Sequence, residues 1–101
     1  MSECRFVIFY RWELKAKREE DFREAWEVLT RLYSQLYGCA GGRLHRSDDG
    51  TWLAYTEWPD RDRYLLAVER GIPDESVAKA MNAAVERRLD PVFMELRSDL
   101  L

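Results

Sequence analysis

Histidine is almost missing from this chain: His45 is the single one among 101 residues. A histidine-rich metal site within one chain is therefore excluded. Cysteine is scarce too, with Cys4 and Cys39 at no CxxC or zinc-type spacing. An antiparallel strand–helix return would bring these two to one end, so a disulfide stays open beside the simpler reading of two reduced thiols. There is no excess of positive charge: 16 Lys and Arg stand against 19 Asp and Glu, a formal net charge of -3. Nucleic acid is not an expected partner. No apolar run reaches the length of a membrane span. The N-terminus has no signal-peptide pattern, because its apolar run is short and interrupted by Arg11, so a cytoplasmic location away from membranes is expected. Gly38 and Gly41-Gly42 fit no phosphate-cradling loop, and no Ser or Cys has the context of a nucleophilic triad. What is left is redox or proton-transfer chemistry on a bound organic molecule, or binding alone.

Aromatic residues are abundant, at 13% of a chain whose residues 1–101 are expected to form one domain. The first strand is read over Phe6 to Leu14 and is apolar on both faces. Phe6, Ile8, Tyr10, Trp12 and Leu14 share one face, and Val7 and Phe9 lie on the other, ahead of Arg11 and Glu13. A helix follows over about Arg18 to Tyr37, with its stripe on Phe22, Ala25, Trp26, Leu29, Leu32, Tyr33 and Leu36. Glu19/Arg23 and Glu27/Arg31 are i,i+4 pairs in the favourable order, and Gly38 is the expected stop.

Gly41-Gly42 opens a strand over Arg43 to Ser47, Asp48-Asp49-Gly50 is a turn, and Thr51 to Trp58 is the third strand. That strand alternates Trp52, Ala54, Thr56 and Trp58 against Leu53, Tyr55 and Glu57. Asp60 caps a helix that stops near Gly71, and Asp74 caps another predicted over Glu75 to Leu89. Glu86-Arg87-Arg88 reads as a solvated helix end, and Val92 to Arg97 as the last strand. The order predicts a ferredoxin-like α+β fold, with an antiparallel sheet carrying helices on one face. The second face stays apolar, and a second copy of the chain is its expected cover, giving a homodimer. The sheet faces are then expected to enclose an aromatic cavity that takes a small aromatic molecule, and the tail Ser98 to Leu101 is free to dock on the partner.

Three stretches resemble a known family: Trp12 to Phe22 with Trp26 downstream, Gly42 to Ser47, and Tyr55-Thr56-Glu57-Trp58 followed by Pro59 to Asp62. The chain is similar over about residues 5 to 97 to the antibiotic biosynthesis monooxygenase domain, a dimeric α/β barrel in which a tryptophan at the strand-to-helix junction is typical. The resemblance implies oxygenation of a small aromatic, phenolic or quinol substrate without metal or flavin cofactor. The haem-degrading branch of that family uses an asparagine on the first strand, the junction tryptophan and a histidine on the following helix. Here the first-strand position is Tyr10 and no histidine follows Trp58, which argues against haem degradation.

Each candidate residue has two readings. His45 is the one histidine, the residue type whose ordinary pKa is near neutrality, and it is either the general base or a half-exposed strand residue beside the turn. Arg11 either holds an anionic oxygen or pairs with Glu13 or Glu57. Trp58 is either a wall that stacks a planar substrate or a core anchor. Tyr10, Trp12 and Tyr55 are further expected substrate contacts, and Asn82 is an oxyanion donor or a polar-face residue. The alternative to catalysis is a dimeric binding or structural module of the same fold. An open cavity favours an enzyme or ligand binder, and one filled by Tyr10, Trp12 and Trp52 favours a structural role.

Overall fold

A computed structural model describes residues 5–101, so Cys4, and with it the Cys4–Cys39 pairing, lies outside the described residues. The order is β1 (Phe6–Leu14), α1 (Glu19–Tyr37), β2 (Gly41–Arg46), β3 (Trp52–Trp58), α2 (Arg61–Arg70), α3 (Glu75–Ala83), β4 (Val85–Arg88) and β5 (Val92–Glu95). The sheet is antiparallel, in the order β2-β3-β1-β4, with β5 pairing the first half of β1 beside β4 on the second half. This is the ferredoxin-like α+β arrangement that the sequence predicts.

Local chemistry sets the ends of the elements. The Asp60 carboxylate accepts from Arg63 N–H at 2.8 Å and that of Asp74 from Val77 N–H at 3.1 Å, so both predicted caps form. Helix α1 has no side-chain cap, but Glu19, Glu20 and Asp21 fill its first turn, where negative charge suits the dipole. Gly38 ends it in the left-handed region at φ 75°. At Gly42 a Cβ would sit 2.2 Å from the Tyr55 carbonyl oxygen, so β2 can lie this close to β3 only with glycine there.

Helix α3 is shorter than its pattern suggests. It ends at Ala83, and Val85–Arg88 forms β4 in place of the last turn of the predicted helix. The cause is the open edge of β1 beyond Phe9. The Ala84 carbonyl accepts from Lys15 N–H at 2.9 Å, the Arg11 carbonyl accepts from Leu89 N–H at 3.2 Å, and Glu13 pairs with Arg87 at 2.9 Å. Backbone groups on a strand edge need partners, and that need outweighs a weak helix propensity. Glu86-Arg87-Arg88 is therefore strand, not helix end. The last strand closes at Glu95, short of Arg97. Glu19 does not pair with Arg23: it accepts from Trp52 Nε1–H at 2.9 Å, and Arg23 is held by Glu20 and Glu27.

The register of β1 on β3 matches Phe6 with Trp58, Ile8 with Thr56, Tyr10 with Ala54 and Trp12 with Trp52, so these side chains share the helix-covered face. Two buried clusters form there. One is Phe6, Ile8, Cys39, Trp58 and Ala67, the other Trp12, Phe22, Ala54 and Ala84, and Tyr10 packs against both. The opposite face carries Val7, Phe9, Leu53 and Tyr55, with Val92 and Met94 in register beside Phe9 and Val7. Among the described residues no helix is long and apolar enough to cross a membrane.

Candidate functional site: a cavity beneath the helices

The gap between the two core clusters is a cavity of about 350 Å³. Its floor is the helix-covered face of β1 and β3, through Tyr10, Trp12, Thr56 and Trp58, and its walls come from all three helices. It exists because α2 and α3 present small residues to an aromatic sheet. Ala67, Gly71 and Ala78 line it where a leucine would fill it.

Trp58 stands between two tyrosines. Its ring lies 5.9 Å from Tyr33 at 65° and 5.6 Å from Tyr64 at 71°, both edge-to-face. It is almost wholly buried, at 4% exposure, and also lines the cavity, so its two readings describe one residue that is core anchor and cavity wall together. Trp58 Nε1 is buried without a hydrogen-bond partner, while the buried Thr56 hydroxyl lies against that of Tyr10. Buried polar atoms left unpaired are uncommon in folded proteins and point to a missing partner.

The phenols and the thiol of the cavity are held neutral. Burial pushes the Tyr10 hydroxyl well above the ordinary phenol range, and neighbouring Tyr64 and Tyr33 add to the shift. Burial raises Tyr33 and Tyr64 as well. It also raises the Cys39 thiol, which donates to the Glu57 carbonyl at 3.4 Å and accepts from Gly41 N–H at 3.4 Å. A phenol that keeps its proton is a hydrogen-bond donor, not a base. The rim carries the polar pair Asn82 and Arg88, in which Asn82 Oδ1 accepts from Arg88 Nη2–H at 2.5 Å.

The predicted site residues divide between the two faces. Tyr10, Trp12 and Trp58 line the cavity. Arg11, Tyr55 and His45 lie on the other side of the sheet, in register with Leu53, Arg43 and Leu53 respectively. His45 stacks on Tyr55 with centroids 6.0 Å apart, and Arg43 Nη1–H donates to Tyr55 Oη at 3.0 Å. Arg11 pairs with neither Glu13 nor Glu57, which are taken by Arg87 and Arg5. The expected cavity was one between two sheet faces; the single chain holds a cavity beneath its helices, because the small residues of α2 and α3 leave the space there. Leu44 does face the core and His45 does face away, but the cavity is on the Leu44 side. Trp52 faces the helices too, yet it does not fill the space. Sequence reasoning missed Tyr33, Tyr64, Thr56 and Arg88 as lining residues. The alanines on helix faces opposite an aromatic strand were the available signal. Among the described residues, no cluster of three or more His, Cys, Asp or Glu side chains is set to hold a metal ion.

Known structures share this fold throughout the chain. SnoaB, a cofactor-independent oxygenase from Streptomyces nogalater, superposes as an asparagine-to-alanine variant with a TM-score of 0.79 at 17% identity, over 98% of this chain and 98% of SnoaB. SnoaB itself, determined to 1.9 Å resolution, gives 0.74 at 15% identity over 96% and 97%. The Mycobacterium tuberculosis protein Rv0793 gives 0.73 at 14% identity, over 96% and 99% of the two chains. At these identities the likeness is one of fold. No curated protein sequence matches the chain. The family model described as "antibiotic biosynthesis monooxygenase" matches residues 5–70, which hold β1, α1, the hairpin, the junction tryptophan and α2, so the chain belongs to that family.

Proposed function

We propose that the chain is a cofactor-independent monooxygenase that binds a small phenolic or quinol ring in the cavity beneath its helices. The observation that carries this reading is an open aromatic cavity in which Trp58 Nε1 is left without a partner. A substrate oxygen is the acceptor that such a donor lacks.

The chemistry follows from the donors. A phenol or anthrone in the cavity loses a proton to solvent at the mouth. Neutral tyrosine hydroxyls and the indole N–H stabilise the anion left behind, which lowers the acidity barrier. The anion gives one electron to dioxygen, the resulting radical and superoxide combine into a carbon-bound peroxide anion, and a proton from solvent at the mouth turns it into the hydroperoxide. Loss of water leaves a new carbonyl: one oxygen atom enters the product and the other leaves as water. Apolar walls keep bulk water from the reactive pair.

The homodimer belongs to the same proposal. Val7, Phe9, Leu53, Val92 and Met94 form an apolar sheet face, and a second copy supplies a matching cover about a two-fold axis. In that assembly His45 and Tyr55 face the partner and serve the interface.

A second reading is favoured by one observation. The cavity contains no side chain poised to act as a base, because its tyrosines and Cys39 are all held protonated and His45 faces away. A site of donors without a base also suits a binding module for a neutral aromatic. Oxygen uptake by the protein with a panel of hydroquinones, anthrones and naphthols separates the two. Uptake that tracks protein concentration and falls in Trp58→Phe supports the oxygenase. Binding without uptake supports the module.

A further inference from the structure

The mouth of the cavity has two chemistries. On one side are Asn82 and Arg88. On the other, Val68 and Ile72 line the cavity and are also 58% and 53% exposed. Leu65, three residues before Val68 on α2 and so on the same face, is 51% exposed. Leu65, Val68 and Ile72 thus form an apolar track that begins inside the cavity and runs outward. Leu65 and Val68 lie on α2, and Ile72 follows the helix end just past Gly71. Single exposed apolar residues are ordinary, but three in a row that continue a binding cavity are a surface with a use.

We infer that the ligand is a phenol carrying an apolar chain, with the ring on Trp58 and the chain leaving past Ile72 and Val68 toward Leu65. This rests on the cavity being the ring site. Continuity argues for a chain on the ligand over a separate protein partner, since the same two side chains touch both the enclosed space and the outer track. Polar substituents on the ring are directed to the Asn82–Arg88 side.

The test is isothermal titration calorimetry of the full chain with a naphthol and with the same naphthol bearing a hexyl chain. Burying even two of the methylenes corresponds to about tenfold in Kd. The hexyl compound is expected to bind at least about tenfold tighter to the unmodified protein. In Val68→Asp and Ile72→Asp that ratio is expected to fall below about threefold, whatever happens to the parent compound. Val68→Thr, which keeps the size of the side chain, and Ile72→Thr, one heavy atom smaller, give the same reading if the charged variants fold poorly. Equal binding of the two compounds overturns the chain while leaving the ring site standing. A hexyl preference that survives in all the folded variants places the chain elsewhere and overturns the track. Loss of dimer mass in the variants, with no hexyl preference, assigns the track to a second copy and overturns the proposal. If neither compound binds, the ring site fails and the inference fails with it.

Discussion

On the helix side of the sheet Phe6, Ile8 and Trp12 are closed off from solvent, whereas on the other side Val92 and Met94, beside Phe9 and Val7, stay exposed. Both faces are rich in apolar and aromatic groups, so hydrophobicity does not tell them apart. What differs is the partner layer. Helices with small residues cover one face incompletely and leave a cavity, while the other face has no helix over it: Val7 is buried, Phe9, Leu53 and Tyr55 are half-buried, and Val92 and Met94 stay exposed. A ligand site thus arises from a shortage of side-chain volume opposite aromatic residues, and an interface from a shortage of cover.

The largest expected effect falls on the covered face. Phe22→Ala, in the cluster with Trp12, is expected to cost about 3–5 kcal/mol in urea unfolding. A loss under about 1 kcal/mol would show that the helix-side cluster is not the core. Next comes Phe9→Asp, which puts a charge into the face that no helix covers. It is expected to weaken the dimer about a hundredfold or more by sedimentation, since a desolvated unpaired charge costs several kcal/mol. An unchanged dimer would move the interface off this face. Trp58→Phe removes one donor and is expected to weaken naphthol binding by up to about tenfold, against less than about twofold for His45→Ala. The reverse ranking would transfer the site to the other side of the sheet.

A smaller effect concerns pH. Tyr10 is held protonated in the folded chain, so between the ordinary phenol pKa of about 10 and its raised value the unfolded state binds fewer protons than the folded one. Stability is therefore fully present below about pH 10 and falls as pH rises above it. Urea midpoints across that range are expected to fall less steeply in Tyr10→Phe than in the unmodified protein. The smallest effect lies at the β1–α1 turn, where Lys17 adopts φ 68°. Glycine takes that conformation without strain, so Lys17→Gly is expected to stabilise the chain by about 0.5–1 kcal/mol.

The parity of every paired residue on β1 and β3 was legible in the sequence, because a strand alternates and both strands alternate consistently. The caps at Asp60 and Asp74 and the stop at Gly38 were legible for equally local reasons. The break between α3 and β4 was not. Val85 to Arg88 continues a helical stripe, and only the unpaired edge of β1, distant in sequence, turns it into strand. The position of the cavity was not legible either. It depends on Ala67, Gly71 and Ala78 arriving opposite Tyr10, Trp12 and Trp58, and no single segment contains that fact. His45 is the lone histidine and so a natural candidate base, but its register opposite Leu53 sends it to the far face.

A crystal structure of the protein with a bound naphthol tests the central claim most directly. The ring is expected in the cavity beneath the helices, against Trp58 and within hydrogen-bond reach of Trp58 Nε1 or Thr56 Oγ1. A ring found instead between two sheet faces, beside Tyr55 and His45 with the helix-side cavity empty, would contradict it.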